Sequence, residues 1–226
     1  PNEFEFTKQM GWIPKGWKAV AIYDLVDLIG GGTPKTSNGN YWNGSIPWFS
    51  VVDAPNTSDV FVIDTEKHVT ELGVEKSSTK MLPIGTTIIS ARGTVGKCAM
   101  VGESMAMNQS CYAVRGKKHV SDSFVYYTIR EKVADLQRGG HGSVFNTITR
   151  DTFKTIKTAF GEPDLTGKLD DRIKPNFGKI LANTFCSKTL SKTRDTLLPR
   201  LLSGEMRIPD AEKLVKEAEQ FMRDEL

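Results

Sequence analysis

The sequence predicts a mixed α/β fold: a twisted sheet with surrounding helices, followed by a long coiled-coil-forming helix. Three observations predict it. Short apolar runs bounded by Gly and Pro recur from about Trp17 to about Pro163, as strands of a mixed sheet do. One stretch inside that region, Ser121–Arg138, repeats apolar residues near helical spacing. From about Leu165 a seven-residue apolar pattern takes over, which favours a helical seam.

The strand candidates are IPWFSV (Ile46–Val51), VFVI (Val60–Ile63), TTIISA (Thr86–Ala91), CAMV (Cys98–Val101) and CYAV (Cys111–Val114). TELGVEKSS (Thr70–Ser78) reads as a short helix. In Ser121–Arg138, Phe124, Tyr127, Ile129 and Val133 form the expected core face, Ser121 or Asp122 caps the start, and Gly139-Gly140 stops the helix. The segment before the first motif, NEFEFTKQMGWIPKGW (Asn2–Trp17), reads as a former linker, and a first residue of Pro1 rather than Met suggests an excised fragment.

In the last region Ile173, Ile180 and Leu201 take heptad position a, and Leu169, Leu190 and Leu197 take d. Phe177 and Leu198 flank at e, and Thr184 falls on the same stripe. Asn176, Asn183, Ser187 and Arg194 also fall on the seam, where buried polar residues fix register at some cost in stability. Pro175 kinks the first turns or marks the helix start, Gly204 stops the helix, and Asp210 caps a second helix, Ala211–Arg223. A helix of about 35 residues runs about 50 Å, longer than a small domain is wide. It therefore seeks another long helix or folds back on its own sheet.

Composition is ordinary for a globular chain of 226 residues, with 38% apolar and 25% charged residues. Net charge is +3 and pI near 8.7, compatible with nucleic acid without pointing to it. Cys98, Cys111 and Cys186 are far apart and form no C-x-x-C pair, which argues against zinc and disulfide frameworks. Reduced thiols suggest the cytoplasm, and no run of 18 apolar residues suggests a membrane span.

Catalytic motifs fail one by one. In LIGGGTPKT, aligning Lys35-Thr36 on a Walker loop puts Pro34 and Ile29 at its two Gly positions, and proline has no N–H for a phosphate. ARGTVGKC fails likewise, with Ala91 and Cys98 at the Gly and Ser/Thr positions. Ser77–Lys80 reads S-x-x-K without its K-T-G companion. His68, His119 and His141 lack metal-ligand spacing. No catalytic residue, metal or cofactor is expected.

Three pieces in order resemble the specificity (S) subunit of type I restriction–modification enzymes. They are IPKGW with GGGTPKTSNGNYWNGSIPWFSVVD (Ile13 to Asp53), LPIGTTIISARGTVGKCAMV with AMNQSCYAV (Leu82 to Val114), and LSKTRDTLLPRLLSGEMRI (Leu190–Ile208). The family's P-P-L-x-E-Q helix start is replaced by AFGEPDLTGKLDDRIKPNFGKI, which fits a C-terminal half. The resemblance implies a target recognition domain over 1–163 and a conserved helical region over 164–226. Each recognition domain of the family reads one half of a split duplex DNA site. The helices space the halves and dock methylation subunits, to which restriction subunits add; methyl transfer and cleavage belong to those partners. A homodimer through the long helix is also expected. Two other readings compete: a stand-alone DNA methyltransferase, for which no N-P-P-Y, D-P-P-Y or F-x-G-x-G is present, and a structural coiled-coil adaptor.

Given that resemblance, the Gly30–Thr36 loop is expected to hold a backbone phosphate. The contacts are backbone N–H groups around Gly32, the hydroxyls of Thr33, Thr36 and Ser37, and the Lys35 charge. Arg92, beside Thr94 and Lys97, either reaches a guanine edge or braces its own turn. Asn108 and Gln109 either pair with adenine or bond a neighbouring loop. His141, Ser143 and Asn146, in GGHGSVFNTI, either contact DNA or join elements. Between Pro83 and Lys118 stand Arg92, Lys97, Arg115, Lys117 and Lys118 against the single acid Glu103, a surplus expected to act as one cationic patch. Trp42 and Trp48 read as packing residues, because duplex DNA exposes no base faces.

Overall fold

The computed structural model describes residues 3–138 and 147–224. The chain divides into two compact units, Pro1–Lys174 and Pro175–Leu226.

The first unit contains, in order, β1 (Phe4–Thr7), β2 (Gly11–Pro14), β3 (Lys18–Ala21), α1 (Ile22–Leu25), β4 (Val26–Gly30), β5 (Trp42–Phe49), β6 (Phe61–Val62) and β7 (His68–Val69). Then come α2 (Glu71–Glu75), β8 (Thr87–Ser90), β9 (Cys98–Val101), β10 (Ala106–Met107), β11 (Cys111–Gly116), α3 (Asp122–Arg138), α4 (Arg150–Thr155) and β12 (Lys157–Phe160). The main sheet has the order β4-β11-β8-β9-β6, antiparallel except for β6 beside β9. A second sheet has the order β10-β5-β7, with β10 parallel to β5.

β8 explains why TTIISA carries no charge and no polar–apolar alternation. It lies between β11 and β9 and is buried on both faces. Ile89 packs under α1, α3 and α4 with Ile22, Val125, Ile129 and Phe153. Its neighbour Ile88 points the opposite way, into Phe49, Leu82, Met105 and Met107. Each buried isoleucine contributes about 1.5–3 kcal/mol.

Several expectations need correction. Phe4–Pro14 is no linker but a β-hairpin, registered Phe4↔Pro14 to Thr7↔Gly11 and anchored by buried Ile13. Its other face carries Phe4, Phe6 and Trp12 in the open, which hides the alternation a strand needs to be recognised. On α3 the core line runs through Val125, Ile129 and Leu136, while Tyr127 is 45% exposed; the helix is turned from the expected face by about one residue. The expected stop at Gly139-Gly140 lies outside the described residues.

The final helices also start elsewhere than expected. α5 spans Pro163–Leu202 and runs through Pro175 and Pro199. Proline at the first helical position costs no hydrogen bond, which sets the start. Within the first unit, Thr166 Oγ1 donates to the His119 carbonyl (2.8 Å) and Ser123 Oγ donates to Asp170 Oδ1 (2.6 Å). Pro175 offers no N–H to the carbonyl four residues back, and the two units divide at this residue. In the second unit α5 ends before Gly204, whose φ of 75° terminates it. The last helix, α6, is Ile208–Asp224. Asp210 therefore sits in its first turn rather than at its cap, and its N–H donates to the Arg207 carbonyl (3.1 Å). On the seam Phe177 and Leu197 are buried, Ile173, Thr184 and Leu201 are half-buried, and Ile180, Leu190 and Leu198 are exposed, the last two by 52% and 50%. Among the described residues, no helix is long and apolar enough to cross a membrane.

Candidate nucleic-acid interface

Strand register gathers three of the sequence motifs at one end of the main sheet. Tyr112 pairs with Gly30, Cys111 with Ser90, and Cys98 with Ile89. The end of β4, the start of β11, the end of β8 and the start of β9 are therefore level. The segments leaving them, Gly31–Ser37, Asn108–Ser110 and Ala91–Lys97, emerge together. The chain on either side of residues 139–146 is tied to the same turn: Gln137 Nε2 donates to the Val95 carbonyl (2.8 Å) and Ile148 N–H to the Ala91 carbonyl (3.0 Å). His141, Ser143 and Asn146 lie outside the described residues.

The glycine-rich loop is built against the Asn-Gln loop rather than around an empty nest. Gly32 N–H donates to the Met107 carbonyl (3.0 Å), so it is not available to a phosphate as expected. A Cβ on Gly31 would overlap the carbonyl of Asn108, and one on Gly32 would overlap Ser78 and Thr79. Both glycines thus serve close backbone approach. Thr33 Oγ1 donates to Gln109 Oε1. Beyond buried Pro34, the side chains of Lys35, Thr36 and Ser37 are exposed.

Two tryptophans hold this loop from the other side. Trp48 Nε1–H donates to the Gly32 carbonyl (3.0 Å), and Trp42 Nε1–H donates to the Lys35 carbonyl (3.3 Å). Their rings meet edge to face with centroids 5.1 Å apart, a contact worth about 0.5–1.5 kcal/mol beyond area burial. Trp48 is 6% exposed and packs with Val69 and Ala106. The packing role read from the sequence is correct. The indole donors are what it missed, and the seven-residue spacing from Lys35 to Trp42 gives no signal of them.

In the RGTVG turn the anchor is Ser90, fully buried in β8. Ser90 Oγ donates to the Thr94 carbonyl (2.5 Å) and accepts from Lys97 N–H (2.9 Å). Gly93 and Gly96 have φ of 72° and 90°, the left-handed region that favours glycine. Arg92 N–H donates to the Ser110 carbonyl (3.2 Å), which leaves its side chain outside the turn. Arg92, Thr94 and Lys97 are exposed.

Asn108 differs. Its Oδ1 accepts from Ser110 N–H (3.0 Å), and its own N–H donates to the Phe49 carbonyl (2.9 Å). It shapes the loop, while Gln109 next to it is exposed.

The single cationic patch is not formed. β11 carries Arg115, Lys117 and Lys118 away from Arg92 and Lys97, towards the opposite end of the sheet. There Arg115 pairs with Asp122 (2.7 Å), and Lys117 Nζ donates to the Tyr23 carbonyl (2.9 Å). β11, six residues long, spans about 20 Å, so charges that are near in sequence stand at opposite ends of it. Burial pushes the thiols of Cys98 and Cys111 up to about 12, so neither is a thiolate near neutral pH. Among the described residues no group of acidic, His and Cys side chains could hold a metal ion.

A profile of the type I restriction modification DNA specificity domain matches residues 14–159. The chain belongs to this family. The specificity domain so defined covers every loop of the interface described above. Similar curated relatives are the HindI specificity subunit of Haemophilus influenzae, 28% identical over 86% of this chain, and the MjaIX specificity subunit of Methanocaldococcus jannaschii, 29% identical over 74%. The chain spans 42% and 39% of their lengths. The fold resembles the HsdS subunit of Thermoanaerobacter tengcongensis, with TM-score 0.53 and 14% identity over 82% of this chain and 43% of that one.

Proposed function

We propose that this chain is a non-catalytic target recognition domain, residues 1–163, with its conserved helical region, residues 164–226. It reads one half of a bipartite site in double-stranded DNA. The family match over residues 14–159 carries the reading. Exposed Lys35, Thr36 and Ser37 serve the phosphate backbone. Arg92, Thr94, Lys97 and Gln109 are the candidates for base and phosphate contact beside them. Methylation subunits dock on the helical region, restriction subunits join through the assembled complex, and both chemistries belong to those partners. The complex works in the cytoplasm. Co-purification with a methylation subunit, followed by mapping of methylated bases on plasmid DNA, tests the reading. Methylation at a fixed sequence that disappears without this chain is the expected result; methylation independent of the chain overturns it.

The exposed apolar residues of α5 favour self-association. Sedimentation at high micromolar concentration is expected to give dimers, and replacing Leu190 and Leu198 by Lys is expected to return monomers. A purely monomeric wild-type chain rules this out.

A further inference from the structure

We infer that Trp42 is a positioning residue for DNA binding: its indole N–H holds the backbone of Lys35 so that the Lys35 ammonium meets one fixed phosphate. The inference rests on the proposed DNA reading and goes beyond it by naming what sets the register of the loop.

The loop is held from two sides. One side is closed by backbone packing: Gly31 and Gly32 lie against Ser78–Thr79 and Met107–Asn108, with Gly32 N–H bonded to Met107. The other side is closed by two indoles in edge-to-face contact, each donating to a loop carbonyl. Asn38 N–H adds a second donor to the Lys35 carbonyl (3.1 Å). Lys35 therefore has a fixed backbone and an exposed side chain. A lysine side chain is long and loses rotamer freedom when it pairs. Fixing its backbone removes the part of that cost the protein can prepay. Trp48 is buried and serves the core as well, whereas Trp42 is half-buried, so Trp42 can be changed at smaller risk to the fold. Trp42 acts through Lys35 and touches no base.

A double-mutant cycle tests this. The probes are a randomised duplex pool and a site selected from it by the wild-type chain, titrated at several salt concentrations. Lys35→Ala is expected to reduce the slope of log affinity against log salt by about one. Trp42→Phe, which removes the N–H donor and keeps an aromatic ring, is expected to weaken binding about three- to tenfold, the range of one lost hydrogen bond. In the W42F background, K35A is expected to add less than a twofold loss. Melting midpoints control for the fold, and Trp42→Tyr repeats the cycle if W42F melts early. Equal K35A losses in both backgrounds, or unchanged binding by W42F, overturns the inference and leaves the function standing. A wild-type chain that selects no duplex overturns both.

Discussion

Replacing Arg92 by alanine is expected to weaken binding to the selected half-site about 10- to 100-fold while changing affinity for random duplex by less than threefold. The magnitude is that of one bidentate arginine–guanine pair, about 1–3 kcal/mol. The fold does not depend on the guanidinium. The Arg92 N–H that donates to Ser110 survives the substitution, and the turn is held by Ser90 and by the two left-handed glycines. Fluorescence anisotropy against selected and scrambled duplexes checks it. Equal weakening on both makes Arg92 a phosphate contact, and no weakening on either removes it from the interface.

Gly31→Ala is expected to do more damage than any charge removal at this end of the sheet. A methyl there would overlap the carbonyls of Met107 and Asn108. Those atoms belong to backbone that is itself bonded, Asn108 N–H to Phe49 and the Met107 carbonyl to Gly32 N–H and Thr79 Oγ1. They cannot step aside without breaking the seam between the two loops. Overpacking of this kind costs about 3 kcal/mol, which lowers the melting midpoint of a domain this size by roughly 6–12 °C. Specific DNA binding is expected to fall with it, because Lys35 and Gln109 lose their common frame. Thermal denaturation together with duplex titration below the new midpoint checks both effects. A variant that melts with the wild type shows that the loops part easily.

These two substitutions also mark what was legible in the sequence. The central strands were readable because burial on both faces leaves consecutive apolar residues without charge, Ile88-Ile89 in β8 and Cys98–Val101 in β9. β1 and β2 were not, because one face of the hairpin shows aromatic residues to solvent. β3 and β12 are four-residue strands of a two-stranded sheet, too short for a period to register. The motifs of the interface were visible as motifs, and the register of β4, β11, β8 and β9 brings them to one end. Their division of labour was not. Gly32 stood out as a phosphate donor from its setting, yet its N–H is spent inside the protein, and its missing Cβ matters more than its N–H. Asn108 and Gln109 looked equivalent side by side; the Asn108 side chain closes its own turn onto Ser110 N–H, while exposed Gln109 accepts from Thr33 Oγ1, a partner 76 residues away that only the fold supplies.

The Ser90 staple carries a further consequence. The hairpin tip is fastened by main-chain bonds, by the Ser90 hydroxyl and by Gln137 Nε2 on the Val95 carbonyl, while among the described residues the exposed side chains of Arg92 and Thr94 make no hydrogen bond. The tip is in effect a socket whose two displayed side chains can be re-lettered without renegotiating the interior. If these side chains face DNA as proposed, altered readout is expected to arise by point substitution, at almost no thermodynamic penalty to the scaffold.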